Sequence, residues 1–140
     1  MNLQASTLKN DESGASFHVQ QAIQIQAFRD AWKEAGHARE PRVSVSRNIF
    51  ALVNDQDRAF WGNGGEDQDS IGFIDPTRRS IFGRSYAAEP DVLIEQLKRD
   101  EAVAAADTLL PTVPNQLGAD YNAHVMEAIL THVAPALSWR

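Results

Sequence analysis

The sequence predicts an α/β protein in which parallel strands alternate with helical connections. Three observations carry this. In residues 17–35 the apolar side chains Ala22, Ile25, Phe28, Trp32 and Ala35 recur at three- and four-residue steps, the spacing of an amphipathic helix. Arg42–Val53 alternates instead, with Val43, Val45, Ile49, Ala51 and Val53 on one face, the two-residue period of a strand. The elements then follow one another as β-α-β, a long loop, and α-β-α. In such an order helices act as connectors, and strands run parallel with right-handed crossovers.

Taken along the chain, Asn2–Thr7 reads as a strand, with Leu3 and Ala5 on one face and Gln4 and Ser6 on the other. Lys9–Ser16 is polar and reads as a loop, and Ser16 is placed to cap the helix Phe17–Ala35. Gly36 suits the position just past that helix. After the connection His37–Pro41 comes the strand Arg42–Val53, its first face interrupted by Arg47. Its second face begins with Ser44, Ser46 and Asn48. Small polar residues there suit the inside of a barrel or a ligand-facing wall, and equally the wet face of a two-layer sheet.

Asn54–Arg84 is the longest stretch without clean periodicity. A short helix fits Asp55–Trp61. Loops of this length in compact domains are functional lids or disordered. Phe60, Trp61, Phe73, Ile74, Ile81 and Phe82 are too apolar for wholly solvated chain. Glu89-Pro90-Asp91 opens the next helix, Pro90 suiting its first turn. Leu93, Ile94 and Leu97 form its inner face. Val103–Ala106 continues it or forms a second short helix. Thr108–Val113 is the next strand, although Pro111 belongs at a sheet edge or bulge. The last helix is Asp120–Ala134, with Met126, Ile129, Leu130 and Val133 inward and Pro135 ending it.

A chain of 140 residues is of single-domain size, and the reading is one domain over 1–140. The hydrophobic fraction of 43% and charged fraction of 23% are those of a globular protein. A net charge of −6 with 13 scattered basic residues argues against nucleic acid as a partner, which calls for a clustered basic face. No apolar run reaches the roughly 18 residues of a membrane span, and the N-terminus lacks the pattern of a secretory signal. A cytoplasmic protein is expected. The absence of cysteine removes disulfides, thiolate zinc sites and a cysteine nucleophile together.

The carboxyl end of a parallel strand is where α/β proteins bind ligands, so Asn115 and Gln116, after Thr108–Val113, fall at the mouth of a site. Ser6 and Thr7 end the first strand and could hydrogen-bond a ligand oxygen, or satisfy turn backbone instead. Arg47, Arg78, Arg79 and Arg84 could bind an anionic group or pair with surface carboxylates. Arg84 stands out, since Gly83-Arg84-Ser85 is read as a turn just before a helix N-terminus, a position that favours anions. His18, His37, His124 and His132 show no metal-ligand spacing. Asp67 and Asp69 lack the glycine and distal glutamate of a calcium loop. Asn63-Gly64-Gly65 has no strand before it and no Lys-Ser/Thr after it, as a phosphate loop would.

The segments Met1–Leu8, Ala31–His37, Pro41–Arg47, Phe82–Tyr86, Asp100–Asp107, Thr112–Gly118 and Asp120–Val125, taken in order, resemble the C-terminal part of luciferase-like, flavin-dependent monooxygenases. The resemblance covers nearly the whole chain. It implies a TIM (β/α)8 barrel that binds reduced FMN, or the deazaflavin F420, at the carboxyl ends of its strands. FMN members use reduced flavin and O2 to oxidise a small organic substrate. Leu3–Ser6, Val43–Leu52 and Thr108–Val113 would then be strands six to eight, with residues 54–84 an insertion near the active-site mouth. Ser6, Thr7, Arg84, Asn115 and Gln116 become the cofactor or substrate pocket. A whole barrel takes about 250 residues, so the resemblance implies a C-terminal fragment that needs the N-terminal half, where most flavin contacts lie. The alternatives are an F420-dependent reductase of the same fold and a non-enzymatic α/β module that forms homo-oligomers through open strand edges.

Overall fold

The computed structural model describes residues 2–10, 12–63 and 69–139, with the backbone alone for residues 73–75 and 115. It shows a mixed α/β fold with five α-helices among the described residues. Contacts cluster into two compact units, each assembled from three stretches of chain. Unit one is Met1–Ser46, Gln68–Gly83 and Asp100–Leu110; unit two is Arg47–Asp67, Arg84–Arg99 and Pro111–Arg140.

Unit one is organised on a sheet of order β1-β3-β8, comprising β1 (Asn2–Gln4), β3 (Arg42–Arg47) and β8 (Thr108–Pro111). β1 and β3 pair in parallel. Asp107 N–H donates to Val43 O and Thr112 N–H to Arg47 O, so β8 also runs parallel to β3. The alternation read in the sequence is realised here: Val43 and Val45 are fully buried while Arg42 is exposed. Pro111 is the last residue of an edge strand, where its missing N–H breaks no ladder. The Asp107 carboxylate accepts from Val43 N–H at 2.8 Å and pairs with Arg29 at 3.3 Å, fixing the start of β8.

Helix α1 (Phe17–Glu34) packs its buried face of Phe17, Gln21 and Ile25 inward. Ser16 takes the capping position but makes no capping bond; the Asp69 carboxylate accepts from Phe17 N–H instead, at 2.8 Å. Gly36 lies at φ +75°, past the C-cap Ala35, a conformation that L side chains resist. Ile25, Val43, Val45, Ala5 and Ala102 form the core, with Phe28 and Leu109 packed against it. Each fully buried aliphatic side chain contributes about 1.5–3 kcal/mol. Ala102 comes from α4 (Glu101–Ala105), whose N-terminus Asp100 caps through Val103 N–H at 2.9 Å. The helix that begins at Pro90 therefore does not continue through Asp100, and a second short one forms.

A hairpin that the sequence reading left inside the long loop completes unit one. Strands β5 (Ser70–Asp75) and β6 (Arg78–Phe82) pair antiparallel, and β2 (Leu8–Asn10), read as loop, joins the far side of β6. A shift in register between Phe73 and Asp75 breaks the two-residue period, which is why the alternation did not stand out. Gly83 follows β6 where a Cβ would come within 2.7 Å of the Phe17 ring, so only glycine fits.

Unit two holds a second parallel pair, β4 (Ile49–Ala51) with β7 (Tyr86–Ala88). The expected strand Arg42–Val53 is thus two strands, separated at Asn48. Every residue of β4 is buried, so one-sided alternation ends where β4 begins. Helix α2 (Asp55–Trp61) follows β4, and α3 (Pro90–Lys98) follows β7 with Leu93, Ile94 and Leu97 buried. A 3-10 turn at Asn115–Leu117 leads into α5 (Gly118–His132), which packs on β4. The buried face of α5 is Tyr121, Val125, Ala128 and Ile129, whereas Leu130, expected inward, is 61% exposed. The strands form open sheets and no closed barrel among the described residues. Among the described residues no helix is long and apolar enough to cross a membrane.

Candidate functional site

The densest polar constellation lies in unit two, around Asp57. Asn54 and Asp57 cap the N-terminus of α2 reciprocally: Asp57 N–H donates to Asn54 Oδ1 at 2.8 Å, and Asn54 N–H donates to Asp57 Oδ2 at 3.2 Å. Asp57 is only 2% exposed, yet it is fully provided with donors. Val53 N–H reaches Oδ2 at 3.1 Å, Tyr121 Oη–H reaches Oδ1 at 2.8 Å, and His124 Nε2 lies 2.9 and 3.1 Å from the two oxygens. Tyr121 and His124 stand three apart on α5 and so share a helix face. Trp61 Nε1–H donates to the Tyr121 oxygen at 3.2 Å, and its ring stacks on Phe50 at 3.9 Å. Phe60 meets Tyr121 edge-on at 5.2 Å.

Burial raises the cost of charge on Asp57, but the hydrogen bonds from His124, Tyr121 and Val53 and the His124 charge outweigh it, holding its carboxyl below the usual range. Tyr121 is pushed up to about 12, first by burial and then by its bond to the Asp57 carboxylate. An ionised Asp57 accepts only, so the proton of the His124 ring belongs on Nε2. Asn54 Nδ2 lies 3.1 Å from that nitrogen. Its amide is held by the Asp57 N–H, so the approach is donor to donor and the carboxylate decides the tautomer.

These shifts set a stability window. Asp57 contributes stability that is present above the ordinary carboxylate pKa and lost as pH falls through its depressed one. Tyr121 contributes stability present below pH 10 and lost as pH rises toward about 12. An ultraviolet titration should find Tyr121 ionising near pH 12, together with alkaline melting of α5. If Tyr121 ionises near pH 10, the buried phenol–carboxylate bond is not there.

Placement on the fold sharpens the site. Asp57 lies in the first turn of the helix after β4, and Tyr121 and His124 lie in the first two turns of the helix that follows the β8 loop. Within unit two, the start of α2 thus lies at the carboxyl end of β4, one strand of the parallel pair β4–β7. Nearby, Arg58 clips α2 to the N-cap Glu89 of α3 at 2.8 Å.

The residues singled out from the sequence fare differently. Arg84 precedes β7 rather than a helix, so it lies at the amino end of the β4–β7 pair, the end opposite Asp57. Its guanidinium sits over the Tyr86 ring at 4.8 Å. Gln116 is exposed on the 3-10 turn, and the Asn115 side chain falls outside the described residues. Ser6 belongs to unit one, where its hydroxyl donates to Leu8 O at 2.7 Å and accepts from Leu8 N–H, satisfying turn backbone; Thr7 beside it is exposed. Arg78 donates to Asn10 at the hairpin. Gly64, Gly65 and Asp67 lie outside the described residues, and no group of three or more metal-ligating side chains gathers among those that are described. The described side chains do not make a cradle for a flavin: Arg84 is at the wrong strand end, and the Asp57 cluster closes on itself apart from one histidine nitrogen.

The sequence reading missed Asp57, Tyr121 and His124. The available signal was Asn54-x-x-Asp57, a capping pair, with Tyr-x-x-His opening a later helix. Nothing in the sequence connected them across 64 and 67 positions. Compared with known proteins, the chain matches no family model, no curated protein and no solved structure.

Proposed function

We propose that this chain supplies the last three strands of a luciferase-like oxidoreductase barrel, of the flavin-dependent monooxygenase type. The observation that carries the reading is the set Asp57, Tyr121 and His124 gathered at the helix start beyond the carboxyl end of β4, the kind of place where parallel α/β enzymes keep their chemistry. The sheet order is in keeping with it: β1, β3 and β8 lie side by side in the order in which they occur along the chain, although the β5–β6 hairpin and the β4–β7 pair come between β3 and β8 in sequence. Reduced FMN, or F420 in a reductase of the same fold, would supply the redox chemistry. The grip on that cofactor is assigned to the N-terminal half of such a barrel, since this chain's described residues form no cradle for it. The chain's own part is to wall the substrate side and to hold protons there.

The test mixes this chain with a separately purified first half, strands one to five, of a luciferase-like oxidoreductase. Gel filtration in reduced FMN or F420 should give a joint species that retains the cofactor. A chain that elutes alone, with no cofactor retained by the mixture, overturns the reading. The open edges of β1 and β8 favour one second reading, a non-enzymatic module that pairs edges with its own copies. A discrete homo-oligomer without flavin affinity would support that one.

A further inference from the structure

We infer that His124 is a proton-transfer residue, a general base acting through Nδ1 on an organic substrate with an activated C–H or O–H, and that Asp57 positions its ring. This rests on reading the strand ends of unit two as an enzyme site. The Nε2 edge of the imidazole is committed to a buried carboxylate at 2.9 and 3.1 Å. That carboxylate is itself immobilised by two backbone N–H groups and the Tyr121 hydroxyl. The ring therefore has one orientation. Nδ1 makes no hydrogen bond among the described residues, it is not among the buried unpaired atoms, and the side chain is 30% exposed. Here one ring nitrogen is held by a carboxylate and the other makes no hydrogen bond among the described residues on a side chain that is partly exposed. That is the division of labour in a histidine base, where the carboxylate fixes the tautomer and stabilises the imidazolium that forms.

The groups facing the ring are Asp57 from α2 and Tyr121 from its own helix, with neutral Asn54 alongside. Asp120 and Glu127 flank it four and three positions away on α5. The neighbouring β4 and the two 3-10 turns, Asn115–Leu117 and Ala134–Leu137, carry no charged residue. On α2, Asp55 and Arg58 flank Asp57, and the Arg58 cation is paired with Asp55 and with Glu89. In the step itself, the substrate C–H or O–H bond breaks, its proton goes to Nδ1, and its electron pair stays on the substrate. Nε2–H remains on Asp57 throughout.

A nitrobenzisoxazole is the probe. A base removes its ring C–H proton, the freed pair completes a nitrile, and the N–O bond breaks to release a coloured cyanophenolate, with no oxidant required. His124→Gln is the informative variant, because its amide N–H can still donate to Asp57 while the base is gone. The wild-type chain should exceed it by about 100-fold, within the range for a positioned base, and its rate should rise with pH as the imidazole loses its proton. Asp57→Asn should lower kcat with KM little changed. Equal rates for wild type and His124→Gln, or a flat pH profile, overturn the inference. If His124→Gln does not fold, nitrogen NMR of the wild-type ring decides: a neutral ring protonated on Nδ1 overturns it, and one protonated on Nε2 supports it. No flavin enters this assay. Proton removal without a flavin-retaining complex sinks only the family reading, and the reverse outcome sinks only this one.

Discussion

Replacing Asp57 by alanine is expected to cost unit two about 3–5 kcal/mol, because several buried donors lose one shared acceptor. The substitution deletes no large volume. Its effect comes from what is left behind: the Val53 and Asn54 N–H groups, the Tyr121 hydroxyl and His124 Nε2–H all lose their acceptor at once. Each buried donor left unpaired costs about 1–3 kcal/mol, although relaxation and water entry keep the sum below simple addition. The first turn of α2 also loses half of its reciprocal cap. Amide exchange over α2 and α5 is the direct measurement, because it reads unit two without assuming that the whole chain melts together. Asp57→Asn should fall between wild type and alanine, since its amide oxygen still accepts. A loss under about 1 kcal/mol for the alanine variant would mean that the network is decoration on a fold held by Phe50, Leu93 and Ile129.

The second large effect is expected in unit one, where Ile25→Ala should cost about 3–4 kcal/mol, within the range for truncating a buried aliphatic. Ile25 is 1% exposed and lies in one core cluster with Ala5, Val43 and Val45. Val43 and Val45 sit on β3 and Ala5 just after β1. The β1–β3–β8 sheet cannot close on the gap without moving its hydrogen-bonded ladder, so most of the cavity should persist. Exchange protection should fall in α1 and β3 far more than in α5. An equal loss of protection in α5 would show that the two units unfold as one.

Much of the fold was legible where a single period ran uninterrupted. The helix over residues 17–34 and the Val43–Val45 face declare themselves by spacing, because one face meets a core and the other meets water. The reading failed where that asymmetry fails. Strand β4 is buried on both faces, so it looks like a continuation of β3. The β5–β6 hairpin carries a register shift, and β7 is three residues long with Tyr86 and two alanines. The face of α5 was misjudged because Leu130 and Met126 outweigh Tyr121 and Ala128 in hydrophobicity, yet it is the tyrosine that is anchored inward, by Asp57 and Trp61. The candidate site was hidden for a related reason. A buried carboxylate looks like any surface aspartate until its four donors, from two separate stretches of the chain, are seen around it.

The interleaving of the two units sets an order on synthesis. Unit one possesses its last segment once residue 110 has been made. Unit two begins earlier than that segment, at Arg47, yet lacks Tyr121 and His124 until α5 emerges, so Asp57 is translated long before any of its side-chain partners except Asn54 exists. During that interval the carboxylate has only its local donors, the Val53 and Asn54 N–H groups; the Tyr121 and His124 donors that complete its shell arrive last, with α5.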